Sequence, residues 1–140
     1  MANCVIGDPP VFSTEIPKWD KQTDADGDAM GLVIEQLLNN TVYNKNQAER
    51  SRQYHEITLT ASGWVGDSAP YTQTVVVDGM TDQDRPTPVF VDDGENDQDS
   101  KSRQKAYGCI TFFDSGNGTV TATCKYQKPE SDCTVGLKGV

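Results

Sequence analysis

The chain has 140 residues, 35% of them hydrophobic, and a mean hydropathy of -0.61. Its net charge is -9, shared by both halves: residues 1–56 hold five Lys/Arg against nine Asp/Glu, and residues 57–140 hold seven against twelve. An acidic surface repels nucleic acid and anionic lipid headgroups, and no run approaches the ~18 apolar residues of a membrane span.

Residues 1–22 read as an extended attachment segment. Pro9, Pro10 and Pro17 prevent a continuous helix there. Phe12, Ile16 and Trp19 are apolar enough to anchor this segment on a larger particle; packing on its own domain is the plainer alternative. The first residues, MANCVIGDPPVF, lack a basic region and a long apolar run, which predicts synthesis in a reducing cytoplasm and reduced, buried thiols.

Thr23-Asp24-Ala25-Asp26-Gly27-Asp28 reads as a helix start, because Asp near an N-terminus satisfies free N–H groups and complements the helix dipole. Asp24, Asp26, Asp28 and Glu35 also fall at EF-hand positions 1, 3, 5 and 12. Position 6 is Ala29, however, where the calcium loop needs Gly. Capping is therefore the expected role, and no metal is expected.

A helix is predicted from Ala29 to near Gln53, within a stem spanning 23–54. Met30, Ile34, Leu37, Thr41, Asn44 and Ala48 recur at alternating spacings of four and three. That is the seam of a coiled coil. Asn44 on such a seam lowers stability while setting register. Asn39 and Asn40 are weak helix formers, so packing must hold the helix. Packing on the β domain of the same chain is the alternative to self-association.

From residue 55 to 140 the period changes to strand alternation bounded by Gly, Pro, Asn and Asp. Strands are expected at 55–61, 71–77, 86–91, 107–113, 119–126 and 133–138. The third is expected at an edge because of Pro86 and Pro88. A short helix is expected within the polar run 92–106, and a hairpin turn at Ser115-Gly116-Asn117-Gly118. The fold class is mainly β with an N-terminal helix, the β part being a small antiparallel sandwich or open barrel.

Catalytic signatures are missing. His55 is the single histidine, and the sequence holds neither a nucleophile elbow nor a phosphate-cradling glycine loop. Cys4, Cys109, Cys124 and Cys133 lack the close pairing of a zinc site. Cys109 and Cys124 form the best disulfide candidate if the segment between them is a hairpin. Seven acidic residues lie between Asp82 and Asp99 against Arg85 alone, a solvated loop that could hold a cation weakly. The reading is a non-enzyme without cofactors. The candidate ligand-facing residues are Trp64, Asp67 and Tyr71 in one loop region and Asp92, Asp93 and Asp97 in another, with a core role for Trp64 as the alternative.

Residues 57–140 carry a resemblance. It lies in Ile57-Thr-Leu-Thr-Ala-Ser-Gly-Trp64, Ala69-Pro-Tyr-Thr-Gln-Thr-Val75, Tyr107-Gly, the Gly-Asn-Gly hairpin, Val120-Thr-Ala-Thr-Cys124, Lys128-Pro129 and the closing Thr134-Val-Gly-Leu-Lys-Gly-Val140. This resembles a module of tail-fibre, head-fibre and related structural proteins of phages and prophages of Gram-positive gut bacteria. The resemblance implies a virion structural protein, a homotrimer, and no catalytic residues carry over. On the residues themselves, the N-terminal segment would contact other virion proteins, and the loops of the β domain would meet a host surface glycan or protein. A head fibre or capsid-decoration protein is the first alternative, and a carbohydrate-binding module a more distant one.

Overall fold

The computed structural model describes residues 3–23 and 26–139. Asp24, part of the expected cap and of the EF-hand pattern, lies outside the described residues. The chain divides into two compact units, Met1–Arg50 and Ser51–Val140.

The first unit is built on α1 (Gly27–Arg52). Asp26 stands just before it, and its carboxylate accepts the Asp28 N–H at 2.9 Å. This satisfies one of the donors that every helix start leaves open. No residue of α1 is buried. Residues 3–23 form neither helix nor strand, as three prolines dictate.

The second unit holds β1 (Tyr54–Leu59), a 3-10 turn (Ala61–Gly63), β2 (Tyr71–Val76), β3 (Thr87–Val91), α2 (Asp97–Gly108), β4 (Phe112–Gly116), β5 (Thr119–Cys124) and β6 (Cys133–Lys138). Two antiparallel three-stranded sheets result, ordered β1-β6-β3 and β2-β5-β4. The central strands show why the sheets form. On β5, Val120, Ala122 and Cys124 are fully buried, Thr119 and Thr121 are half-buried, and Thr123 is buried as well. On β6, Cys133, Val135 and Leu137 are fully buried. Both rows enter one apolar cluster with Ile57, Leu59, Trp64, Val77 and Met80. Residues of period two on each strand make that shared core.

β6 is also covered on its other face, where Thr134 and Gly136 are buried. A Cβ at Gly136 would run into the Tyr54 ring, so the glycine lets the ring lie on the strand. At the β4–β5 turn Gly118 adopts φ +73, the left-handed region that glycine reaches freely. β3 lies at a sheet edge and carries Pro88, in keeping with its missing N–H.

Two expectations need correction. Residues 107–113 are not one strand: α2 continues through Gly108, and β4 begins at Phe112. Asn96 seeds the helix by accepting the Gln98 and Asp99 N–H groups. Ala106 and Tyr107 then join the core from the helix, and Ile110 from just beyond its end. The hairpin on which a Cys109–Cys124 pair depended is not formed between them, for the same reason. Cys109 caps α2 and lies outside the β4–β5 hairpin, and the cysteines are free.

Candidate functional site

α1 presents two opposite faces that differ in what they touch. One receives the N-terminal segment. The Gly7 N–H donates to Asn39 Oδ1 at 2.8 Å, and Asn39 Nδ2 donates to the Val5 carbonyl at 3.4 Å. Asn40 does the same for Ser13: its Oδ1 accepts the Ser13 N–H at 2.9 Å, and its Nδ2 donates to the Ser13 carbonyl at 2.7 Å. Each side-chain amide thus stands in for a neighbouring strand's peptide group. Glu35 accepts the Val5 N–H, Gln36 donates to the Val11 carbonyl, and the rings of Phe12 and Tyr43 lie 5.6 Å apart. At 100° per residue, Glu35, Gln36, Asn39, Asn40 and Tyr43 cluster on one side of the helix.

The other face carries the 4-3 stripe, and it is open. Met30 is 41% exposed, Ile34 52% and Leu37 49%. Thr41, Asn44 and Ala48 continue the line and are exposed too. The Thr41 hydroxyl donates to the Leu37 carbonyl within the helix at 2.9 Å. It can therefore enter an apolar contact with its hydrogen bond already made. Large apolar side chains at this spacing match the seam pattern of coiled coils.

The expected particle anchors are distributed differently from one another. Phe12 sits on Tyr43 of the same unit and keeps 45% of its surface exposed. Ile16 is half-buried, whereas Trp19 is exposed and lines a shallow depression with Pro17, Leu32 and Val33.

The expected ligand-facing loops also separate. Trp64 is buried, with no partner for its indole N–H among the described residues; it is a core residue and not a ligand-facing one. Tyr71 begins β2 and packs on the core. Asp67 is exposed. In the acidic loop Asp93 is committed to its own protein: one oxygen faces Arg103 at 3.2 Å, and the other accepts the Thr134 hydroxyl at 2.6 Å. Asp99 accepts from Arg103 Nε at 2.9 Å. The Arg103 hydrogen bond, aided by the Glu95 N–H, holds the Asp99 carboxyl below its ordinary value. Asp92 and Asp97 remain exposed. The loop is thus tied to α2 and β6 by charge-assisted bonds.

The tether built by Asn39 and Asn40 was not anticipated. Its trace in the sequence is two adjacent helix-averse residues in mid-helix. Arg103 and Asn96 were also missed, because their roles depend on which loop they meet. Among the described residues no helix is long and apolar enough to cross a membrane. Comparison with known proteins found no matching family model, no curated relative and no similar solved structure.

Proposed function

We propose that the chain is a structural protein of a phage virion: a homotrimeric fibre or receptor-binding protein that attaches through residues 1–22 and projects its β unit toward the host surface. The observation that carries the assembly half is the uncovered Met30–Ile34–Leu37 stripe, on the face of α1 opposite the tethered segment. A coiled coil would bury that stripe and leave the tethers on its outside, free to meet other virion proteins. The virion half rests on the resemblance of residues 57–140.

The number of strands is the sharpest part of the proposal. The spacing puts Ile34 and Thr41 at a-type positions and Leu37 at a d-type position, a pairing that suits two strands. Val33 and Leu38 flank the stripe and widen it, which suits three. Closed rotational symmetry accommodates either number. Light scattering over a dilution series tests this. A mass three times 15.3 kDa that survives dilution is the expected result. Twice that mass would replace the trimer by a two-stranded stem, and a monomer would overturn the stem altogether.

A further inference from the structure

One concavity inverts the charge of the molecule. It has a volume of about 250 Å³ and lies between one face of α2 and the connection from β5 to β6. Lys101 and Lys105 enter it from the helix, one turn apart, and Lys128 from the connection. Ser102 and Ser131 add hydroxyls, and Glu130 is the one carboxylate on its wall. Three exposed lysines thus line one concavity in a chain whose net charge is -9, and Lys101 also borders a second depression beside Asp92 and Asp97.

The basic residues of α2 divide by face. Arg103 points to the acidic loop and is matched there by Asp93 and Asp99. Lys101, Lys105 and Lys128 have no ion pair or side-chain hydrogen bond among the described residues. Asp97 stands one turn before Lys101 without pairing to it. A cation in the last turn of a helix complements the dipole, which accounts for Lys105. It accounts for neither Lys101 in mid-helix nor Lys128 outside any helix.

We propose that this cavity binds a phosphoryl group carried by a small organic phosphate or a phosphodiester. The choice of anion follows from the cations. Arginine offers a planar fork that matches a carboxylate through two parallel bonds, and none lines the cavity. Lysines are compact point charges on flexible stems, and three of them can surround a tetrahedral phosphoryl group from different directions. The Ser131 hydroxyl can donate to an adjoining ester oxygen, whereas Ser102, whose hydroxyl already donates to the Gln98 carbonyl at 2.9 Å, can accept from an adjoining hydroxyl. The volume lies just below the range of drug-sized pockets, so it admits one phosphate-bearing unit rather than a long segment. The inference stands on the β unit alone and goes beyond the assembly reading.

The experiment is a titration of the full chain, followed by backbone amide shifts, with glycerol 3-phosphate, with glycerophosphoglycerol and with acetate. Saturable shifts confined to residues 98–109 and 127–131 are expected with a phosphate ligand. A monoester response identifies a free or terminal phosphate as the source, and a diester response an internal phosphodiester. Lys101→Gln with Lys128→Gln should weaken binding about tenfold or more, since each removes a charged hydrogen bond. Lys45→Gln should leave binding unchanged. Unsaturable shifts spread over all lysines, equal binding of acetate, or full affinity in the double variant would each overturn the proposal. The light-scattering mass of the double variant reports separately on assembly.

Discussion

The two units solve the same problem in opposite ways. Ser51–Val140 closes a dry core from two sheets, with Leu59, Val120, Val135 and Leu137 fully buried. Met1–Arg50 buries no residue of its long helix and holds its extended segment by side-chain amides instead. A hydrophobic core stabilises a unit without a partner. A helix tied on one face by exchangeable hydrogen bonds gains little net stability, since each such bond replaces one to water. The contrast shows where a second copy would contribute most.

Replacing both Ile34 and Leu37 by Asp should break that contrast most severely. Charge placed without a partner in a buried seam is costly. The solution mass should fall to that of one chain and helical circular dichroism should drop, while urea unfolding of the β unit keeps its midpoint. A variant that keeps its oligomeric mass would show that the β units hold the assembly together.

Leu137→Ala attacks the other unit. Leu137 is fully buried at the centre of the first sheet, and such a truncation costs about 2–5 kcal/mol. Urea denaturation followed by tryptophan emission should show a lower midpoint. An unchanged midpoint would mean that the core relaxes around the lost side chain.

A smaller effect is expected from Asn39→Ala with Asn40→Ala. Each lost hydrogen bond costs about 0.5–1.5 kcal/mol, offset in part by the higher helix propensity of Ala. Proteolysis should reach residues 3–13 faster, with α1 as helical as before. Unaltered cleavage would show that Phe12 on Tyr43, not the amides, holds the segment.

The smallest effect concerns acid. Asp99 is lowered from 3.8 by Arg103 and the Glu95 N–H. Its contribution is therefore complete above the ordinary aspartate value and lost as pH falls through the lowered one. Asp99→Asn should flatten that acid limb in a stability–pH series. A parallel limb in both proteins would remove Asp99 from the account. At alkaline pH the thiols act in the opposite sense. Burial pushes Cys124 up to about 12 and Cys133 to about 11. Stability should thus decline above pH 9, where the unfolded thiols ionise.

How much was legible depends on how local each signal is. The β1 alternation, the positions of β2 and β6, the Asn117-Gly118 turn and the edge character of β3 are short-range patterns, and each appears where its residues predict. The stretch after Ala106 reads as a strand because Tyr107, Ile110, Thr111, Phe112 and Phe113 are aromatic or β-branched. The Asn96 cap upstream and the packing of Tyr107 against Phe90 decided for helix. Trp64 stands beside a loop, where a ligand-facing and a core role both suggest themselves; its buried ring takes the core role, as the scarcity of bulky residues in a small β unit favours.

The sequence by itself determined the period of each region, a 4-3 helix and then short alternating strands, because period follows from backbone geometry at neighbouring residues. It also determined the acidic charge. Tertiary structure alone decided that β1 pairs with β6 across the length of the unit, and that Asn39 and Asn40 hold the N-terminal segment. It alone decided that Arg103 pairs with two carboxylates while Lys101, Lys105 and Lys128 form no ion pair among the described residues. These outcomes depend on which distant groups the fold brings within a few ångströms of one another. Hydrogen bonds and ion pairs are too short in reach for sequence spacing to reveal their partners.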